Sequence, residues 1–472
     1  MKDKSDTGPL SFKEKVGYGL GDMASNFYLG FFGLFLLYYY TDVYGIAPAA
    51  VGTMLLVTKI VDAVSDPAMG LIADRTDSRW GKYRPYLLWM AIPYGLTGFI
   101  VFFGPELSDT GKLVYAYLTY TGVMLAYTAI NVPYSALLAV ISPLADERTK
   151  ATQFRFVFAS AGSLAVAAFA TSLTKWLGGG DELLGFRLTM GIFAVVSILL
   201  FWTTFVTTRE RIAPEHHESS VREDFRALLK NASWLVLVAT TVLVMTGIMV
   251  RISSTVFYLK YYMTDDGTVL FGIFDRFAVF LSLASVGQLT GALITPYLAA
   301  RFEKHLLVLA LNLGHALLLA LCYLIPPENF GLIVAVHMLG FLTFGATATL
   351  LFAMYTDCAE YGEWKTGKRT SGLIVSASLF SLKFGAAVGG AIPGFILAAF
   401  GFVANEVQTP TATIGIRLMF NAAPAIFMGL GGLCMVFYGI DRARLHRIEA
   451  EMYQRRHPGA EGDIVHEGGR SP

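Results

Sequence analysis

Apolar residues in this chain fall into long unbroken runs, and that pattern limits the fold more than any other feature of the sequence. The runs cover residues 16–40, 50–72, 85–104, 113–138, 154–176, 186–206, 234–258, 277–299, 305–325, 330–354, 372–400 and 417–438. Each is long enough for a helix rising 1.5 Å per residue to cross ~30 Å of hydrocarbon. In that solvent a backbone must satisfy its own hydrogen bonds, and continuous runs rather than alternating ones select helices over a barrel. Composition agrees, with 55% hydrophobic residues, only 15% charged and a mean hydropathy of +0.55. The expected class is an all-α polytopic membrane protein of twelve transmembrane helices.

An even number of crossings leaves both termini on one side. Lysine and arginine crowd the even-numbered loops and both tails, from Lys13 and Lys15 through Arg75, Arg79, Lys82 and Arg84 to Arg301, Lys304 and Arg442. The loops 41–49 and 326–329 carry none. The positive-inside bias then predicts cytoplasmic termini in a multi-pass protein of the cell (plasma or inner) membrane, with the lipid bilayer as its surroundings. A long basic loop divides the chain. The segments read as an N-tail 1–15, a six-helix bundle 16–207, a central loop 208–233, a second bundle 234–440 and a C-tail 441–472. The polar first 15 residues have no apolar core with a cleavage site, so no removable signal peptide is expected. Glu215-His216-His217-Glu218 lies in the charged central loop without helical metal-ligand spacing and reads as linker. Cys322, Cys358 and Cys434 have neither metal nor redox spacing. A net charge of +1 gives no reason to expect nucleic acid. With no nucleotide-binding loop or catalytic triad, neither an enzyme nor an ATP-driven pump is expected, no cofactor beyond a coupling cation is implied, and a monomer is the expected unit.

Charge inside the second run is the functional signal. Lys59-Ile-Val-Asp62-Ala-Val-Ser-Asp66-Pro67 sits within 50–72, and a carboxylate near the bilayer centre costs roughly 2.5–3.5 kcal/mol. Asp62 and Asp66 are one turn apart on one helix face, with Lys59 a turn above Asp62. Two carboxylates so placed repel, so they are expected to line a polar cavity and share a proton or a cation such as Na⁺; the plainer alternative is a buried Asp–Lys pair. Asn26 and Lys383 fall near the same midplane depth, while Asp22, Asp66, Asn131 and Arg155 fall in the inner half. No residue on its own span neutralises Lys383, which predicts a partner in Asp62 or Asp66 across a cavity between the bundles. Arg155 reads either as a site residue or as an interface anchor, and Asp22 either as a site residue or as a helix-start carboxylate favoured by the dipole. Tyr127, one turn before Asn131, reads either as helix packing or as a ring to stack on the C–H face of a sugar. His315 and His337 read as packing or gate residues.

Between the second and third runs stands Gly70-Leu-Ile-Ala-Asp74-Arg75-Thr-Asp-Ser-Arg79. Gly70 reads as a close-approach position, and Asp74 with Arg75 and Arg79 as bridges between helix ends. A degenerate copy, Gly291 to Lys304, follows the eighth run and indicates two repeats related by an axis along the membrane normal. The first copy resembles the G-x-x-x-D-R-x-x-x-R signature of the major facilitator superfamily, whose fold is two six-helix pseudo-repeats. Together with Tyr18-Gly-Leu-Gly-Asp22-Met-Ala-Ser-Asn26, Tyr38-Tyr-Tyr-Thr-Asp42-Val-Tyr-Gly, the paired-Asp helix and Glu360-Tyr-Gly-Glu363-Trp-Lys365, it gives the chain, from about residue 13 to 442, a resemblance to the glycoside–pentoside–hexuronide:cation symporter family.

That resemblance implies cation-binding roles for Asp62 and Asp66, with Thr128 and Ser65 beside them. It implies that Lys383 links cation and sugar sites and that Arg155 meets the sugar. Asn26 and Asn131 stand where galactoside-carrying members have aspartates, and Ser65 and Ser135 replace an asparagine and a tryptophan. Asp22 recurs in the pentoside and uronide branches. The expected function is symport of a sugar, glycoside, pentoside or hexuronide with H⁺ or Na⁺ by alternating access. Two alternatives remain at this point, a sodium-dependent lysolipid carrier of the same fold and a transporter-like sensor.

Overall fold

The structure, a computed structural model, describes residues 8–211, 231–264, 269–271, 274–366 and 371–456. Most of the central loop, including Glu215 to Glu218, and the ends of both tails lie outside the described residues.

Ten helices are long and apolar enough to cross a membrane. In chain order they are α1 (Phe12–Tyr38), α5 (Asp109–Ile141), α6 (Ala145–Gly178), α7 (Glu182–Thr207), α8 (Ala232–Phe257), α9 (Arg276–Arg301), α10 (Lys304–Leu324), α11 (Phe330–Thr366), α12 (Ser371–Ala399), and the α13–α14 pair (Pro410–Arg417 and Ala423–Cys434) joined through a π-helical turn. Two further crossings complete twelve. The helix α2 (Pro48–Arg75) has the length but carries Lys59, Asp62 and Asp66 in its middle. The third crossing is split into α3 (Arg84–Trp89) and α4 (Ala91–Val101) by a bend at Met90. Pro93 explains the bend, since it has no N–H for the Trp89 carbonyl and its ring crowds that oxygen. A two-stranded antiparallel ribbon pairs Val269–Phe271 with Phe274–Asp275, the sole β-structure among the described residues.

The two bundles repeat one plan. Within the first, α1 lies along α6 and α7; within the second, α8 lies along α12 and α14, and α9 along α11. Between them, α2 meets α12, α6 meets α9 and α1 meets α8, so the second and fifth crossings of one half face the fifth and second of the other. Both α1 and α8 end in a π-helical turn, Tyr39–Val43 and Tyr258–Tyr262, at corresponding places.

The seam is closed at the end remote from the termini. A Cβ on Gly394 would lie 2.5 Å from the Pro48 carbonyl, and one on Gly52 would lie 2.8 Å from the Ala391 carbonyl, so α2 and α12 touch backbone to backbone there. Asp42, at the end of the first crossing, accepts from the Tyr261 hydroxyl and has Lys260 Nζ at 3.5 Å. Asn405 donates to the Asp42 carbonyl at 2.7 Å and accepts from Lys260 at 2.8 Å. Lys175 pairs with Asp275 at 2.7 Å across the same seam.

Residues 355–366, which lie between the apolar runs 330–354 and 372–400 and so read as loop, instead extend α11 to Thr366. Tyr355 and Cys358 are buried, Lys304 pairs with Asp357 at 2.7 Å, and Trp364 donates to Glu451 at 2.6 Å on the C-terminal helix α15 (Arg442–Arg456). These contacts give a polar segment tertiary partners, which local hydropathy does not register.

Candidate functional site

The helices α2 and α12 come from different halves, and the structure brings their ionisable residues together. Lys383 Nζ on α12 contacts Asp66 Oδ2 directly and lies 3.8 Å from Asp62 Oδ2. Lys59 Nζ lies 3.7 Å from the same Asp62 oxygen. Thr128 on α5 sits between the acids, its Oγ1 3.1 Å from Asp62 Oδ1 and 2.9 Å from Asp66 Oδ1. One hydroxyl hydrogen serves only one of these oxygens at a time, so the other is short of a donor. Ser65 backs the cluster, with Oγ 3.4 Å from Thr128 Oγ1 and 3.1 Å from the Asp62 carbonyl. The Asp62 side chain is 4% exposed, that of Asp66 25% and that of Lys383 36%. One acid is thus buried, while the other and its amine stay partly exposed. Two carboxylates and two ammonium groups balance, so an added cation or proton competes directly with Lys383 for the acids.

A second cluster lies along α1, α5 and α6. Arg155 Nε donates to Asp22 at 2.8 Å, its NH2 group is 3.4 Å from Ser135 Oγ, and its guanidinium lies 5.0 Å from the centre of the Tyr134 ring. Arg155 and Asp22, for each of which two roles were open, here pair with each other. Asn26 donates to the Asp22 carbonyl at 2.8 Å and accepts from Ser163 at 3.3 Å. Asn131 is different: its Oδ1 is buried without a hydrogen-bond partner. Such an acceptor costs about 1–3 kcal/mol if left dry, and a ligand hydroxyl would relieve it. Tyr127 lies one turn from Asn131 on α5, next in sequence to Thr128 of the first cluster.

The loop motif behaves otherwise than its residues suggest. A Cβ on Gly70 would meet only Val132 Cγ1 at 4.0 Å, so Gly70 borders open space and makes no close helix contact. Asp74, in the last turn of α2, accepts from Tyr83 at the start of α3 at 2.8 Å and so bridges two helix ends. Arg75 and Arg79 are exposed, with Arg79 lying over the Trp80 ring at 4.1 Å. Where Arg75 and Arg79 make no bridge among the described residues, a further one is made by Arg84 donating to the Phe205 carbonyl at 2.7 Å, and by Glu210 accepting from the backbone of Lys82, Tyr83 and Arg84. Charges on a solvated helix end have little reason to hold one geometry, whereas Glu210 caps three free N–H groups at once.

Sequence reasoning passed over Arg251. It lies deep in the seventh crossing, is 1% exposed, and donates to the Phe420 carbonyl at 2.6 Å and to Asn421 at 3.1 Å; its NH2 group lies 3.0 Å from His337 Nδ1. The intramembrane-charge argument that singled out Lys383 applies to it equally. Asp42 and Asp275, which clasp the far seam, were hidden at run ends where a carboxylate looks solvated.

The chain matches the family described as MFS/sugar transport protein over residues 17–442. It is 36% identical to the inner membrane symporter YicJ of Escherichia coli K12, covering 94% of this chain and 95% of that protein. It is 33% identical to the isoprimeverose transporter of Lactiplantibacillus pentosus, with 92% and 90% covered, and 32% identical to the glucuronide carrier protein homolog of Escherichia coli K12, with 95% and 96% covered. Two solved structures share the fold at low identity. One is a bacterial homologue of the human lysosomal transporter Spinster (TM-score 0.64, 14% identity, 93% and 96% covered), and the other is the nucleoside transporter NupG (TM-score 0.59, 15% identity, 90% and 97% covered). With relatives of this identity matched nearly end to end, and a family match spanning both bundles, the chain belongs to the MFS/sugar transport family, in its glycoside–pentoside–hexuronide:cation symporter branch.

Proposed function

We propose that this protein is a secondary carrier that couples inward flow of H⁺ or Na⁺ to uptake of a sugar or glycoside. The observation that supports this most is the meeting of Asp62, Asp66 and Lys383 across the seam, one turn of α5 away from the unpartnered Asn131 acceptor. A cation entering between the two acids replaces the Lys383 ammonium. The released amine and the Asp22–Arg155 pair then face a common wet space with Tyr127, Asn26 and Asn131, which offers donors, acceptors and a ring face to a polyhydroxyl ligand. Coupling follows if only the empty and the doubly loaded carrier change sides, because the lone cation or lone sugar leaves either the amine or the acids uncompensated. One charge moving inward yields ~2.3 kcal/mol per 100 mV, enough to drive accumulation.

The lysine and arginine bias supports cytoplasmic termini, and on that reading the clasped far end faces outside and the carrier is closed to the outside. The test is counterflow in proteoliposomes with labelled neutral glycosides and hexuronides, run separately with Na⁺ and pH gradients. Gradient-driven accumulation of at least one sugar supports the reading. Transport of none, or transport indifferent to both gradients, overturns it.

A further inference from the structure

A cavity of about 390 Å³ lies away from the site just described, at the clasped end of the seam, and nothing in the transport mechanism uses it. Its buried floor is apolar and comes from both halves, with Phe35 and Phe186 on one side and Val256 and Phe277 on the other. Its rim is polar and exposed, carrying Lys175, Asp181 and Glu182. The Phe35 and Phe277 rings stack at 6.0 Å across the seam, and the Lys175–Asp275 and Lys260–Asp42 pairs flank the cavity on either side. A site walled by both halves exists only while the outer end is closed.

We propose that this vestibule binds a second molecule of a neutral glycoside and holds the carrier inward-facing. Apolar floor, polar rim and volume suit a ligand with a hydrophobic face and several hydroxyls. The charge balance selects among sugars. Lys175 and Lys260 are offset by Asp181 and Glu182, and Asp275 and Asp42 stand behind the lysines, so the surroundings are net acidic and disfavour a uronate. A ligand that bridges the halves binds the outer-closed state alone and shifts the population toward it. Excess external glycoside therefore slows uptake. The proposal rests on the sugar-carrier reading for its ligand class.

The experiment is equilibrium dialysis of the full chain in nanodiscs with labelled 4-nitrophenyl β-xyloside and, separately, 4-nitrophenyl β-glucuronide, alongside uptake at rising external xyloside. The expected result is about two xylosides per chain, no glucuronide at the second site, and a velocity that falls roughly twofold from its peak at high concentration. Val256→Trp fills the cavity from its floor and Glu182→Ala strips its rim; each should bring binding down to one xyloside and make uptake hyperbolic. Arg155→Ala should leave only the vestibule occupied. Binding of a single xyloside or none to the unaltered protein, or a second site that survives Val256→Trp, overturns the vestibule. The counterflow panel reports on the central site by itself, so a failure here is distinguishable from failure of the carrier reading.

Discussion

Replacing Lys383 by alanine should tighten the coupling cation, against the ordinary expectation for a site mutation. In the structure the ammonium touches Asp66 and stands 3.8 Å from Asp62, where an entering cation must go. Two unit charges at that separation interact by about 4 kcal/mol at an effective dielectric constant of 20. Lys383 is 36% exposed and Asp66 25%, so solvent screening takes roughly a third to two thirds of this away and leaves about 1.4–2.8 kcal/mol. A cation that no longer displaces the amine gains that amount, or about ten- to a hundredfold in Kd. Without cation the variant carries two acids with only Lys59 nearby, 3.7 Å from Asp62, and should melt at a lower temperature than the unaltered protein. Saturating cation should raise the variant's Tm more than it raises that of the unaltered protein, by linkage. Calorimetric titration of Na⁺, or of protons if Na⁺ gives no heat, measures the first quantity, and a thermal shift with and without cation measures the second. Uphill uptake should be lost in the same variant, because a permanently cation-bound carrier cannot return empty. An unchanged or weakened cation affinity would refute the competition and with it the assigned role of Lys383.

Asp62→Asn should abolish uphill uptake while sparing counterflow of the sugar, which needs no net cation movement; normal accumulation in that variant would sink the coupling role. Arg155→Lys should raise KM for the sugar about ten- to a hundredfold with cation affinity nearly unchanged, because one ammonium cannot hold both Asp22 and Ser135; equal losses for sugar and cation would show the two clusters are not separate. Gly394→Ala puts a methyl 2.5 Å from the Pro48 carbonyl and should pry the outer seam apart, seen as faster maleimide labelling of a Val256→Cys reporter from outside. Labelling at the unaltered rate would mean that α12 shifts without opening the end.

Legibility in the sequence followed a physical rule, which is that a residue shows itself when its environment is uniform. Asp62, Asp66 and Lys383 stood out because hydrocarbon makes any charge conspicuous, and a cation and acids on different spans at one depth have few ways to be neutral except through each other. Ser135 and Ser163, which complete the second cluster, gave no such signal, since a hydroxyl in an apolar run bonds its own helix as readily as a neighbour. The motif glycine misled for a different reason. Gly70 permits a close approach but does not compel one, and here it borders open space. The two bundles meet instead at Gly52 and Gly394, where the sequence shows two glycines 342 positions apart with nothing to associate them. A carrier must also populate an outer-open state, and a contact of one state leaves the same residues idle in the other. Gly70 and the Gly52–Gly394 pair therefore act as alternates, one closing the inner end when the other opens the outer.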